Sequence, residues 1–213
     1  MRPRKKVFLV MTDPDIEKML NTVTSRLDET ITLFAASKAV SGQCHQEVDK
    51  QLFEYVNTNR FWRSVYAAFQ ISIFINIAAL VDKRKDCSTL KTAADVLNEM
   101  KAGQVPQDLF TDLNIIHGRY KDFRHKIFAH TDHHRVALAD EFDASGFTWE
   151  SINDDIKLLD YICAVLWAIH LGRNIPSRDT VAAYFRHSHL EAQQISSEVT
   201  HLFSLIANNI KLD

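Results

Sequence analysis

Residues 106–135 read PQDLFTDLNIIHGRYKDFRHKIFAHTDHHR, and two patterns overlap in them. Leu109, Leu113, Ile116, Tyr120, Phe123 and Ile127 step by four, three, four, three and four, the period of a helix with one apolar seam. Pro106 suits the start of such a helix, where a missing N–H costs nothing. The second half, His117 to Arg135, carries five of the ten histidines, five Lys or Arg residues and only two acids, Asp122 and Asp132. That segment has a formal charge of +3 while the whole chain has -2, so the remainder sums to -5. A local cationic island on an acidic chain points to an anionic ligand held at one place rather than a general attraction to polyanions.

Outward from this stretch the same helical period recurs. Towards the N-terminus, Ile16, Leu20, Val23, Leu27, Ile31 and Phe34 form a seam lasting to about Val40, and Asp13-Pro14-Asp15 has the composition of a helix start with Asp13 as N-cap. A second helix is expected over roughly Gln46 to Tyr55. Phe61 to Val81 is the most hydrophobic stretch. Gln70, Ser72 and Asn76 interrupt it and both flanks are basic, so a central helix buried on most faces is preferred to a membrane span. Ser88 is read as the cap of a short helix to about Met100, ended by Lys101-Ala102-Gly103. Beyond the island, Thr148 caps a helix whose seam is Ile152, Ile156, Leu159, Cys163, Leu166 and Ile169, ended by Gly172 and Pro176. A last helix shows Ile195, Val199, Leu202 and Ile206.

These readings predict an all-α fold: one domain over 1–213, a helical bundle of four or five long helices with short accessory helices. Its core is expected at about 13–171, with 172–213 a C-terminal helical extension. Five Gly and four Pro in 213 residues are too few for a turn-rich β-sandwich. The cysteines, Cys44, Cys87 and Cys163, are isolated and odd in number, so a reduced, cytoplasmic compartment is expected. The apolar run Val7 to Met11 is too short for the core of a signal peptide. There is no Gly-x-Ser-x-Gly, no phosphate-cradling glycine loop and no Cys-x-x-Cys, which removes the common nucleophilic hydrolases, P-loop enzymes and zinc fingers.

Within the island, Phe123-Arg124-His125-Lys126-Ile127-Phe128-Ala129-His130 places a His six residues after an Arg that is followed by a polar residue. This resembles the signature of the HEPN superfamily (higher eukaryotes and prokaryotes nucleotide-binding domains), in which an Arg, four to six residues and a His lie near a helix end in an α-helical bundle. The string Arg-His-Lys-x-Phe-Ala-His-Thr-Asp is closer still to the abortive-infection AbiU-like branch. So is the order of Ala78-Ala79-Leu80-Val81-Asp82, a charged loop and Ser88-Thr89-Leu90. The likeness spans about residues 15 to 170. One position departs from the branch paired with nucleotidyltransferase antitoxins, which carries Tyr two residues after the His where this chain has Asp132.

The resemblance implies a metal-independent endoribonuclease without cofactors, with its site at a two-fold interface of a homodimer and an RNA substrate. A role in phage defence or as a toxin follows from it, with an antitoxin or regulatory partner and no membrane. Arg124 and His130 would be the catalytic pair. Their chemistry suits RNA cleavage, because a His moves protons near neutral pH and a guanidinium holds phosphoryl oxygens as negative charge builds. Six helical residues turn through roughly 240° and rise about 9 Å, so one chain does not simply aim both groups at one spot; two copies would pool them.

His125, Lys121, Lys126, Asp132, His133 and His134 are read as supporting or substrate-binding residues, with Arg119 and Arg135 as further phosphate-positioning groups or a solvated face. Zinc on His130, His133, His134 and Asp132 is disfavoured, because no Cys lies nearby and the other charges are cationic. Gly118, costly inside a helix, suggests a close backbone approach or a tolerated kink. Tyr120 and Phe123 are read as core rather than base-stacking platforms, and Asp82 as a partner for an island cation. The alternative class is a non-catalytic HEPN dimer module that binds nucleotide or a protein partner.

Overall fold

The computed structural model describes residues 12–40, 58–84, 86–130 and 146–178, with a few positions between 193 and 205; side chains at 124–130 are outside the described set. Within it the fold is all-α. Five helices follow in order: α1 (Asp13–Val40), α2 (Arg60–Leu80), α3 (Leu90–Met100), α4 (Gln107–His130) and α5 (Trp149–His170). The segment 46–55, expected as a helix, and most of 172–213 lie outside the described residues.

Each start has a local chemical cause. For α1 the cap is Thr12, one residue before the expected Asp13. Its carbonyl accepts from the Asp15 and Ile16 amides, and the Asp15 carboxylate takes both the Thr12 amide (3.1 Å) and hydroxyl (2.7 Å). Those hydrogen bonds hold the Asp15 carboxyl below its ordinary pKa. Asn59 caps α2 through its side-chain oxygen on the Phe61 and Trp62 amides. Thr89 rather than Ser88 caps α3, its hydroxyl accepting from the Thr92 amide. Thr148 caps α5 as expected, closing a reciprocal box with Ser151. At the other ends, Gly103 and Gly172 adopt positive φ, where a Cβ would be strained.

The long helices pack antiparallel. Phe34 of α1 meets Trp149 at the start of α5, while Thr24 meets Cys163 and Trp167 further along. Phe74 of α2 meets Phe123 of α4, with ring centroids 4.2 Å apart. The main core runs through α1, α2, α4 and α5, and Leu90, Ala93, Ala94 and Leu97 bring α3 into it, while Val40 with Trp62, Tyr66 and Phe69 forms a smaller cluster. Every described seam residue of α4 (Leu109, Leu113, Ile116, Tyr120, Phe123) is buried. This is the arrangement a 3.6 period on four facing helices should give.

α2 departs in part from its expectation. Ile73, Phe74, Ile77, Ala78 and Leu80 are buried, whereas Phe61 is 65% exposed and the first half is only partly covered. Among the described residues it is the one helix long and apolar enough, by length and composition, to cross a membrane; a core helix passes the same test, and the C-terminal half of α2 serves the core.

Candidate functional site

Helix α4 carries the site residues, and three interactions with neighbouring elements act on it. The first is aromatic. Phe74, Tyr120, Phe123 and Phe147 form a cluster with centroids 4.2 to 5.6 Å apart, tying α4 to α2 and to the residue before the α5 cap. The second is ionic. Arg119 Nη1 donates to Asp155 Oδ2 of α5 at 2.6 Å, the Asp155 side chain being only 7% exposed. Burial raises the Asp155 pKa even with the guanidinium beside it. The third is electrostatic: burial first and then Lys83 lower the His117 pKa, with the Val81 backbone and Asp82 after α2 acting in the opposite sense.

Arg119 is therefore no free phosphate-positioning cation: it is committed to a buried carboxylate. The Tyr120 hydroxyl is buried near the same Asp155 without a well-formed hydrogen bond, and burial pushes its pKa well above the ordinary tyrosine value. Tyr120 and Phe123 are core residues, as read from spacing. Among the described residues, and apart from its own helical turns, no atom lies within 4 Å of where a Gly118 Cβ would stand, so none of them explains it by close approach.

Asp82 is engaged at once by its own loop. Its carboxylate accepts from the Arg84 amide at 3.0 Å and from Arg84 Nε at 3.1 Å. Alongside this local turn its charge also reaches His117 of the island, while the island side chains at 124–130 lie outside the described set.

α4 is unbroken through His130, the last residue of the helix. The backbone at Arg124, His125, Lys126 and His130 is helical, and Lys121 is exposed on the same element. By register, position 130 falls two turns beyond Phe123 on the same line of the helix, and position 124 about 100° round from it. Positions 117, 121, 124 and 125 share a second line. With no break between them, positions 124 and 130 remain about 9 Å apart along the axis. Asp132, His133 and His134 lie outside the described residues, so the zinc alternative and these supporting roles rest on sequence alone. Among the described residues, no three His, Cys, Asp or Glu groups gather closely enough to hold a metal ion.

Sequence reading missed two buried acids on α5, Asp155 and Asp160. Asp160 faces Asp28 of α1, and burial followed by that repulsion lifts its pKa to about 7. Beside it, Cys163 is pushed up to about 12 by burial, while its Sγ lies 3.4 Å from Thr24 Oγ1, which also accepts from Trp167 Nε1 at 2.9 Å. A thiol held in that state is inert at neutral pH. The available signal was position: each acid stands one step from a seam residue, Ile156 or Leu159, where a charge is costly.

No family model matches the chain, and neither a curated protein nor a solved structure is similar enough to it to count as a match.

Proposed function

We propose that the protein is a metal-independent endoribonuclease of HEPN type that acts as a cytoplasmic homodimer in phage defence or as a toxin. The observation that supports this reading best is the Arg124–His130 string at the end of an unbroken helix within an all-α bundle, inside a histidine-rich cationic segment. The chemistry is transesterification through the neighbouring hydroxyl. The ribose 2'-oxygen gives up its proton to a base and bonds to phosphorus. The P–O5' bond breaks, and the departing oxygen takes a proton. His130 moves those protons, since an imidazole exchanges them near neutral pH. Arg124 holds the non-bridging oxygens, whose charge grows in the transition state, with a fork that stays cationic throughout. Two copies about a two-fold axis supply Arg and His from both chains, because an unbroken helix separates them within one. The remaining island cations hold the strand.

The test is digestion of mixed RNA in excess chelator by wild type, Arg124→Ala and His130→Ala. Cleavage by wild type with loss of roughly a hundredfold or more in each variant is expected. Activity that persists in both variants, or that the chelator abolishes, refutes the assignment. Absence of cleavage by any of the three favours the non-catalytic dimer module.

A further inference from the structure

One line of α2 faces α4, and its character changes along its length. Positions 81, 77, 74, 70, 67, 63 and 60 step by four and three, the spacing of a single helical face. Phe74 fixes which face this is, because its ring meets Phe123 and Tyr120 of α4 with centroids 4.2 and 5.6 Å away. Val81, Ile77 and Phe74 are buried, Gln70 and Ala67 are partly covered, and Arg63 and Arg60 are exposed. The first turn of α2 holds no acid. Asn59 occupies the Phe61 and Trp62 amides, so this turn offers its side chains rather than an open helix end.

The line opens beside the candidate site. The chain leaving α2 comes back along the first turns of α4, where the Arg84 carbonyl accepts from Thr92 Oγ1 at 3.2 Å and the adjacent Lys91 Nζ lies 4.8 Å from the Phe110 ring centroid. Phe74 and Phe123 meet more than three turns farther along α4, so α2 and α4 run antiparallel. Stepping equally far on from Phe123 and back from Phe74 brings position 130 level with Ala67. By the same register Arg63 lies about 6 Å farther along the axis than the last residue of α4, and Arg60 about 10 Å farther.

We propose that Arg60 and Arg63 bind the RNA backbone adjacent to the scissile phosphate, extending the Arg124–His130 site onto α2; the choice of RNA rests on the ribonuclease reading. A strand held at the end of α4 carries its further phosphates past this turn, and a guanidinium fork takes two phosphate oxygens at once. The contact positions the strand and reads no base. A second copy fits the turn less well, because a two-fold axis through it sets each arginine against like charge.

The test uses the full chain carrying Arg124→Ala and His130→Ala, so that bound RNA stays intact. Fluorescence anisotropy with a labelled single-stranded RNA compares two additions, Arg60→Ala with Arg63→Ala, and Lys18→Ala with Arg173→Ala. The second is an equal charge change on exposed residues at the opposite end of the bundle. The α2 pair is expected to weaken binding about tenfold and to flatten the log–log salt dependence by about 1.4, the value for two single-strand contacts. The control pair moves both far less, and Phe61→Ala, about 100° round the helix from Arg60, leaves the affinity unchanged. In the cleaving chain the α2 pair raises KM and spares kcat. Equal losses from both pairs, or no RNA binding by any of these proteins, overturns the proposal. A loss from Phe61→Ala as large as that from the arginines, with a fall in sedimentation mass, replaces it with a contact between copies. Cleavage with an unmoved KM in the α2 pair removes the extension and leaves the ribonuclease reading standing; arginine-dependent binding by a wild type that cuts nothing does the reverse.

Discussion

At 3% exposure, Asp160 sits between α5 and α1 with Asp28 close by, and its carboxyl titrates near 7 instead of 3.8. The folded chain therefore keeps a proton that the unfolded chain releases between about pH 4 and 7. Over that window the native state binds more protons, so the contribution of this group to stability is complete below pH 4 and is lost as pH rises to 7. Three pKa units set an upper bound of about 4 kcal/mol. Asp160→Asn removes the dependence. Thermal melts should show the variant gaining on wild type as pH rises from 4 to 8, ending more stable by about 2 kcal/mol; a constant difference across that range would disprove the assignment. Single residues such as this are the least legible part of the sequence. Nothing in the spelling of residues 149–170 says that Asp160 is covered while the neighbouring seam shows, because that depends on where α1 comes to rest. The thiol of Cys163 is hidden for the same reason.

Between elements, α4 is held by a charge and by rings. Arg119→Ala would leave Asp155 buried with no cation, the costly way to break a pair. Since Arg119 is itself over a third exposed, the loss should be about 2 kcal/mol, or a fall in Tm of about 4–8 °C by calorimetry. Raising the pH should widen the gap, because Asp155, with its raised pKa, is then more fully ionised and unpaired. A melt indistinguishable from wild type would mean that the aromatic cluster alone orients the helix. The helices themselves were easy to read. The seams of α1, α4 and α5 fall where the spacing put them, since burial of one stripe is set by period alone. Cap positions slipped by one, to Thr12 and Thr89, because neighbouring Thr, Ser and Asp compete for the same amides. Arg119 was read as a phosphate-positioning group or a solvated face, and its pairing with Asp155 escaped that reading because the partner lies 36 positions away.

Across the whole molecule, the fold class was legible, whereas the proposed function rests on a short string. The helix bearing Arg124 and His130 is unbroken to its last residue, and under the proposed reading a complete site then calls for two chains. Sedimentation equilibrium should give about twice the 24.5 kDa chain mass at micromolar concentration. A monomer that still cuts RNA would require a single-chain site and remove the reason for pooling. The most direct measurement is made on the fragments of the digestion in chelator. Mass spectrometry should find 2',3'-cyclic phosphate on one side of each cut and a 5'-hydroxyl on the other, the ends that attack by the ribose hydroxyl must leave. Ends bearing 5'-phosphate and 3'-hydroxyl would mean that water attacked the phosphorus and would contradict the roles given to Arg124 and His130.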